Sequence, residues 1–360
     1  MRICLIGKNL TNLVLAKNLS NKNLNIDIIC DGKKEENFLQ RTLAISKNNF
    51  NFLLKINKKI NISYWPIKKI KIYGENNNSK ELFEFKNKNS EIFYLVKYND
   101  IFNSFYNVCK KNKYINFKIF TKKKYFIDKK KYKLIINSDS KNNFYNKSLN
   151  KGIEKNYNSI AYTGILNHER KENNVAVQIF TKFGPLAFLP LSNTKTSIVF
   201  SISKKFEINE FEISNLIKKY NLSYKIKKIN EFEKFNLKYL MLRNYIFKNT
   251  LYFGDLLHRI HPLAGQGFNM TIRDIKILSL LIDEKIELGL DLDNSIFYDF
   301  QKRTKHYNYI FGSGVDFIHD FFQIDNKTNN LLSGFIFKIL RRNKLLNKYA
   351  TLFADKGINI

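Results

Sequence analysis

The first 31 residues contain the pattern that most restricts the fold of this chain. An apolar run over residues 2–6 ends at Gly7, leucines then recur at helical spacing as far as Leu19, and a second apolar run begins at residue 25 and ends at Asp31. Asp31 follows Gly7 by about 24 residues. A strand, a turn, a helix and a second strand closed by an acid form the frame of a dinucleotide-binding fold. We therefore expect an α/β protein with Gly7 and Asp31 beside a cofactor.

The rest of the chain predicts many strands and a helical end. Strands are expected at residues 69–73, 82–85, 92–96, 132–136, 160–165, 175–180, 186–191, 197–201 and 249–256. Helices are expected at residues 100–109, from Gly267 to about residue 287, and through most of residues 296–353. Clusters of strands between βαβ pieces indicate two domains woven together rather than two domains in line.

Composition excludes several classes of function. The 360 residues include 62 Lys and Arg against 31 Asp and Glu, a net charge of +31. This charge suggests a polyanionic partner. However, the lysines are spread along the chain among Asn, Ile, Phe and Tyr, residues that share AT-rich codons, so we expect no nucleic-acid binding. Three distant cysteines exclude a disulfide framework and predict a cytoplasmic protein, and the isolated histidines predict no metal site.

The stretch from residue 251 to residue 274 carries the strongest chemical signal. A predicted strand leads into Gly254-Asp255, where the carboxylate can accept hydrogen bonds from sugar or ribityl hydroxyls. Gly265-Gln266-Gly267 then opens a helix, and its small residues allow close approach of the backbone. The helix start offers N–H groups and a positive dipole end to an anion. We therefore expect a large polar cofactor at this turn.

The pattern GDxxHxxHPxAGQGxNxxxxD over residues 254–274 resembles the third FAD-binding motif of the para-hydroxybenzoate-hydroxylase-like flavoprotein monooxygenases. The His-Pro pair before Ala-Gly-Gln-Gly is most similar to the ubiquinone-biosynthesis hydroxylases of that group. Residues 41–46, 184–191 and 298–303 resemble further segments of the same family, in the same order. The similarity covers about residues 1–345.

The resemblance implies FAD as the cofactor and NAD(P)H as the electron donor. It implies hydroxylation by O2, through a flavin C4a-hydroperoxide, of the aromatic ring of a polyprenylated phenol or quinol in ubiquinone biosynthesis. His261 and Pro262 are the implied catalytic residues. The implied cofactor-binding residues are Gly7, Asp31, Arg41, Asp139, Gly254, Asp255, Gly265, Gln266, Gly267, Phe268 and Asn269.

The family's architecture also implies how the chain is divided. Residues 1–60, 98–152 and 249–295 are expected to form a discontinuous, Rossmann-like FAD-binding domain. Residues 61–97 and 153–248 are expected to form a β-sheet substrate domain interwoven with it, and residues 296–360 a helical C-terminal region.

One departure from the family leaves a second function open. The expected G-x-G-x-x-G fingerprint stands here as Gly7-Lys8-Asn9-Leu10-Thr11-Asn12, so Asn replaces two glycines. Asn9 is able to adopt the left-handed backbone of the glycine it replaces, whereas Asn12 is expected to push the helix away from the strand. The alternative to an enzyme is therefore a weakly flavin-binding or non-catalytic homologue that acts as a partner in a quinone-biosynthesis assembly.

The C-terminal segment leaves the question of a membrane open. Leu332, Phe335, Ile336, Ile339 and Leu340 share one face of a predicted helix, with lysines and arginines beside them. A basic amphipathic helix of this kind can lie on an anionic membrane, which here would be the inner face of the cell membrane. The other interpretation is a helix that covers the cofactor domain.

Overall fold

A computed structural model describes residues 1–30, 32, 40–58, 62–75, 81–86, 91–119, 131–139, 152–262 and 266–325. Asp31, Gly265 and the amphipathic segment 331–353 lie outside these residues, so the predictions made for them stay predictions. None of the described helices is long and apolar enough to cross a membrane.

The described strands and helices alternate along the first part of the chain and then separate into a strand-rich and a helical part. The strands are β1 (Arg2–Ile6), β2 (Asn25–Cys30), β3 (Thr42–Ser46), β4 (Tyr64–Ile67), β5 (Lys69–Gly74), β6 (Glu81–Lys86), β7 (Phe93–Lys97), β8 (Ile115–Ile119), β9 (Leu134–Asn137), β10 (Gly152–His168), β11 (Val175–Thr181), β12 (Gly184–Pro190), β13 (Lys195–Ser203), β14 (Ile226–Ile229), β15 (Glu233–Leu242), β16 (Ile246–Phe247), β17 (Thr250–Tyr252) and β18 (His258–Arg259). The helices are α1 (Leu10–Ser20), α2 (Lys47–Ile56), α3 (Tyr98–Lys110), α4 (Glu210–Tyr220), α5 (Gln266–Glu287) and α6 (Ser295–Asp325), and a 3-10 turn covers Gly254–Leu256.

A parallel sheet forms one half of the fold. Its strand order is β16-β17-β9-β1-β2-β8, and every neighbouring pair is parallel except β16 with β17. The strands β1, β2 and β9 are buried along nearly their whole length, as expected of parallel strands covered on both faces. The helix α1 fills the crossover between β1 and β2 and is buried along most of its length, with Leu13, Val14 and Leu15 fully covered. The predicted strand–helix–strand unit is confirmed.

A larger, mostly antiparallel sheet forms the other half. It runs β18-β15-β10-β13-β12-β11-β5-β6, with β14 paired to β10, and only β11 and β5 are parallel. A smaller antiparallel sheet has the order β3-β7-β4. The predicted α/β fold with a second, β-rich part and C-terminal helices is therefore confirmed. The division into domains stays a prediction.

One local prediction was wrong. Residues 249–256 were expected to be one strand, but the strand ends at Tyr252 and residues 254–256 turn into a 3-10 helix. The cause is Gly254, whose φ of 59° lies in the left-handed region and cannot continue a strand.

A buried acid stabilises the parallel sheet. Asp27 of β2 is completely covered, and its carboxylate accepts hydrogen bonds from the Lys118 ammonium and, at 2.8 Å, from the Tyr132 hydroxyl. Burial raises the pKa of Asp27, but the bonds from Lys118 and Tyr132 outweigh burial and hold the pKa below its usual value. A carboxyl group whose pKa is lowered by folding stabilises the protein at pH values above its unfolded-state pKa. This stabilisation is lost as pH falls through the folded-state pKa.

We expect Asp27→Asn to lower the free energy of unfolding at pH 7 by about 1–3 kcal/mol, because Lys118 and Tyr132 lose a charged acceptor. The difference between the variant and the wild type should shrink as pH falls from about 4, where Asp27 is first protonated in the unfolded wild type, through the lower pKa that Asp27 has in the folded protein. Urea unfolding at pH 7 and at successive acid pH values measures both effects. Asp291→Asn, at an exposed surface pair with Lys133, is the matched control and should change little. A constant difference at every pH would contradict the assignment.

Candidate cofactor and substrate site

Three strand ends meet at the N-terminus of α1. The turn after β1 passes so close to the segment after β9 that a Cβ on Gly7 would lie 2.9 Å from Cβ of Asp139. The turn after β17 passes equally close to α1, because a Cβ on Gly254 would lie 3.0 Å from Cγ2 of Thr11. The backbone N–H of Phe253 donates to the Asn137 carbonyl at 2.8 Å and joins the ends of β17 and β9. The structure thus brings together Gly7, Asp139 and Gly254, which the sequence assigned to one site.

The two asparagines of the altered fingerprint are used by the chain itself. Asn9 caps α1: its side-chain oxygen accepts from the Asn12 N–H at 3.0 Å, and its amide donates to the carbonyl and hydroxyl of Ser138. Its φ of −134° is extended, so Asn9 does not use the left-handed backbone that its residue type permits. A capping residue needs extended backbone to aim its side chain at the helix, and this requirement decides the conformation.

Asn12 replaces the glycine at which helix and strand approach most closely. Its side chain is fully buried, and Nδ2 donates to the carbonyls of Ile6 and Gly7 at 2.8 and 2.7 Å. Its Oδ1 atom has no partner among the described residues. The larger side chain is therefore accommodated by hydrogen bonds that tie α1 to the end of β1.

The charged candidates differ in accessibility. Asp255 is exposed, and no described residue donates to its carboxylate, while its backbone carbonyl accepts from Arg259 at 3.2 Å. Asp139 is half-buried, and its N–H donates to the Asn137 side chain at 3.0 Å. The Arg41 guanidinium lies over the Tyr98 ring, 4.8 Å from its centroid. Asp255 is thus the acid that a ligand at this edge of the sheet can reach.

The first histidine and the last acid of the 254–274 motif form a buried pair. Nε2 of His258 lies 2.7 Å from Oδ2 of Asp274, and both side chains are almost completely covered. Asn308 of α6 donates to the same carboxylate at 3.1 Å. His258 therefore has a structural role: through Asp274 it links β18 to both α5 and α6.

The start of α5 is held against the turn between β3 and α2. The Asn269 amide donates to the Ala44 carbonyl at 2.7 Å, and its oxygen accepts from the Ser46 N–H and from the Asn49 side chain. Asn269 thus positions the helix start. Gln266 is buried, whereas Gly267 and Phe268 are half-buried. A Cβ at Gly267 would meet only Ile260, at 4.0 Å, so there is room beside the helix start.

His261 is buried without hydrogen bonds. It is 1% exposed, and neither ring nitrogen has a partner among the described residues. Its ring lies edge-on to Tyr157, with centroids 5.1 Å apart, and 4.4 Å from the ring of His319. Burial, with the nearby His319 and Lys155, lowers the pKa of His261 well below its usual value, so the imidazole is neutral at pH 7. Pro262, the next residue, is half-buried.

The polar residues around His261 were missed by sequence reasoning. They come from β10 and α6, and include the buried Tyr157 hydroxyl, which makes no hydrogen bond of normal geometry to a described residue. Burial, and after it the nearby Asp316 carboxylate, raise the pKa of Tyr157. On α6, Asp316, His319 and Asp320 lie close together, and the Lys155 ammonium contacts both carboxylates, at 3.2 and 2.6 Å. The D-x-x-H-D spacing, which places all three on one helix face, was the available signal.

The comparisons with known proteins agree with the motif. No protein-family model matches the chain. The ubiquinone biosynthesis monooxygenase COQ6 of Caenorhabditis elegans is 26% identical over 216 residues, which are 47% of this chain and 48% of that protein. COQ6 of Danio rerio is 23% identical over 267 residues, 62% of this chain and 55% of that protein. The chain is a distant homologue of the ubiquinone-biosynthesis monooxygenases. It spans about half the length of the curated relatives it matches.

Solved structures confirm the fold of this monooxygenase homologue. The p-nitrophenol 4-monooxygenase PnpA from Pseudomonas putida covers 99% of this chain and 98% of its own, with a TM-score of 0.78 and 9% identity. HpxO of Klebsiella pneumoniae, in complex with FAD and uric acid, covers 98% of this chain and 97% of its own, with a TM-score of 0.75 and 10% identity. The predicted resemblance to flavoprotein monooxygenases is therefore confirmed, while the roles of the individual site residues stay predictions.

The two glycines of the 254–274 motif should respond differently to the same change. Gly254→Ala should lower the free energy of unfolding by about 1–3 kcal/mol, because the new methyl group strains a left-handed residue and meets Thr11. Gly267→Ala should leave the stability of the flavin-free protein within about 0.5 kcal/mol of wild type or raise it, because it sits in a helix with open space beside it. Urea unfolding of the flavin-free protein measures both, and equal destabilisation would contradict this account.

Proposed function

We propose that this protein is an FAD-dependent monooxygenase that hydroxylates the aromatic ring of a polyprenylated phenol or quinol in ubiquinone biosynthesis. The observation that carries the proposal is the 254–274 motif folded as a strand, a turn and a helix start, with the exposed Asp255 at one end and His261 and Pro262 before the helix. The distant homology to COQ6 supports the substrate class.

The residues present fit FAD. Asp255 offers a free carboxylate to ribityl or sugar hydroxyls, and the open space at Gly267 allows a ring system to approach the start of α5. Gly7, Arg41 and Asp139 would contribute at the ends of β1, β3 and β9, and Asp31, Gly265, Gln266, Phe268 and Asn269 complete the proposed set. Bound FAD would supply the activation of O2, and NAD(P)H is the proposed reductant.

The chain's own residues would orient the cofactor and the substrate. The helix α5 begins beside Gly267, so its N-terminal dipole would favour negative charge on a neighbouring ring. His261 and Pro262 would face the reacting part of the substrate from the loop before that helix. The motif places these groups within a few residues of one another, and the His258–Asp274 pair keeps the loop in place. Water would be excluded by the apolar side chains that pack around Ile260 and Met270.

Partners beyond the small molecules are also part of the proposal. The net charge of +31 would attract the anionic inner face of the cell membrane, where a polyprenylated substrate resides. A contact with other proteins of a quinone-biosynthesis assembly is proposed from the homology alone.

We expect purified protein to bind FAD, and Asp255→Asn to weaken binding at least tenfold without loss of stability, because the exposed carboxylate contacts no described residue. Flavin fluorescence titration measures the affinity, and thermal unfolding checks the fold. Asp100→Asn, in the first turn of α3, is the control acid and should bind FAD like the wild type. Unchanged FAD affinity in Asp255→Asn would contradict the proposed role.

One observation favours the non-catalytic alternative: the Asn9 side chain already occupies the N–H of Asn12, a donor that a pyrophosphate would otherwise use. The double variant N9G/N12G restores the glycine fingerprint. We expect it to raise FAD affinity at least tenfold and to lower the free energy of unfolding by about 1–3 kcal/mol, because the cap and the two Asn12 bonds are lost.

The flavin content of the purified wild-type protein distinguishes the monooxygenase from the non-catalytic homologue. Stoichiometric FAD in the purified protein supports the enzyme. A colourless wild type that refuses added FAD, beside an N9G/N12G variant that accepts it, would establish the non-catalytic homologue.

A further inference from the structure

The surroundings of His261 contain more hydrogen-bonding capacity than the protein uses. Both nitrogens of His261 and the hydroxyl of Tyr157 are buried and lack partners among the described residues. Buried polar groups are nearly always hydrogen-bonded, so each exception calls for an explanation. Here two such side chains touch each other, with ring centroids 5.1 Å apart and planes at 86°.

The backbone at Tyr157 is irregular where the side chain turns inward. The pairing of β10 with β15 shifts register between Asn156 and Ile160. Within this bulge Asn158 has a φ of 49°, in the left-handed region, and its carbonyl accepts from the Lys204 N–H at 2.7 Å. Bulges of this kind re-aim a side chain and are frequent beside functional sites. The strand is therefore distorted next to Tyr157, whose hydroxyl lacks a hydrogen-bond partner within the described part of the chain.

The side chains packed around Tyr157 are mostly apolar. Tyr157 belongs to a buried cluster that includes Met241, Ile260, Met270, Phe311 and Val315. These five residues come from β15, the residue after β18, α5 and α6, and the cluster also has members from β6, β10 and β11. An aromatic ring with a polar substituent matches such surroundings, because its body replaces apolar contacts and its substituent supplies the missing hydrogen bonds.

We propose that His261 and Tyr157 form the polar end of the substrate site and bind a hydroxyl group on the substrate's aromatic ring. The inference rests on the proposed monooxygenase function, which requires an aromatic substrate. A neutral imidazole has one nitrogen that accepts a hydrogen bond, and a phenolic hydroxyl donates to it. The Tyr157 hydroxyl supplies a donor for an oxygen of the ligand.

A metal ion is the competing occupant, because Asp316, His319 and Asp320 present ligand atoms within 4.8 Å of one another. The Lys155 ammonium argues against it: it contacts both carboxylates and so already provides their counter-charge. The rings beside His261, those of Tyr157 and His319, are neutral, and Lys155 already partly neutralises the nearby carboxylates. These surroundings favour a neutral hydroxyl group over a second cation.

The test uses two probes of nearly the same shape, 2-allylphenol and its methyl ether 2-allylanisole, which lacks the O–H donor. Isothermal titration calorimetry measures the affinity of the full-length protein for each, with and without added FAD. We expect the wild type to bind the phenol at least tenfold more tightly than the ether. His261→Phe should bring this ratio close to one, and Tyr157→Phe should reduce it. His306→Phe, the same substitution at an exposed position of α6, should leave the ratio unchanged.

Stability separates a binding role from a structural one. Because neither nitrogen of His261 bonds to a described residue, His261→Phe should unfold at the same temperature as the wild type or higher. A lower melting temperature together with equal weakening of both probes would make His261 merely structural and overturn the proposal. Tyr157→Phe carries the same test if His261→Phe does not fold.

Two further outcomes would overturn the proposal. Equal binding of both probes by the wild type, or binding of neither, contradicts a hydroxyl site whatever the flavin content. Stoichiometric binding of zinc chloride that is lost in His319→Phe would reassign the cluster to a metal. Failure of the proposed function has a different signature: a protein that refuses FAD but keeps the preference for the phenol retains the hydroxyl site without being a flavoenzyme.

Discussion

The arrangement of the site depends on the buried contact between His258 and Asp274. One carboxylate receives the imidazole of β18 at 2.7 Å and the amide of Asn308 from α6, while it belongs to α5 itself. A buried carboxylate without hydrogen-bond partners is destabilising. Separating β18 or α6 from α5 would remove a partner of Asp274, so these contacts favour keeping the three elements together. His261 follows His258 by three positions, so the contact between His258 and Asp274 holds the strand that leads to it. The first histidine and the last acid of the 254–274 motif are thus in direct contact in the folded protein.

Local patterns predicted the parallel half of the fold well and the antiparallel half less completely. The apolar runs of β1 and β2 and the leucines of α1 are contiguous signals, because parallel strands are covered on both faces. In contrast, β15 carries Glu233, Lys234 and Lys238 along a strand whose first half is only partly buried, and these charges hide its alternation. The helix α4 was also missed, although Asn209 and Glu212 form a capping box that the sequence displays.

The sequence predicted the site residues that lie close together in the chain. It did not predict those that only the folded structure brings next to one another. Gly254, Asp255, His261 and Gly267 stand in one motif. Tyr157 and Asp316 do not, because β10 and α6 are brought to His261 only by the large sheet and the packing of the last helix. The conformation of Asn9 was also not predictable from its residue type, which permits a left-handed backbone. In the structure its side chain instead caps the free N–H groups at the start of α1, and capping requires an extended backbone.

Polar groups are mostly hydrogen-bonded at the start of α1 but lack partners among the described residues around His261. At the start of α1, the Asn9 side chain accepts from the Asn12 N–H, a donor that a glycine fingerprint would leave to a ligand, and the Asn12 amide donates to the carbonyls of Ile6 and Gly7. At His261 and Tyr157, buried polar atoms lack hydrogen-bond partners among the described residues. Under the proposed function, the side chains at the start of α1 bear on flavin affinity and those around His261 on recognition of the ring, so the two properties can vary independently.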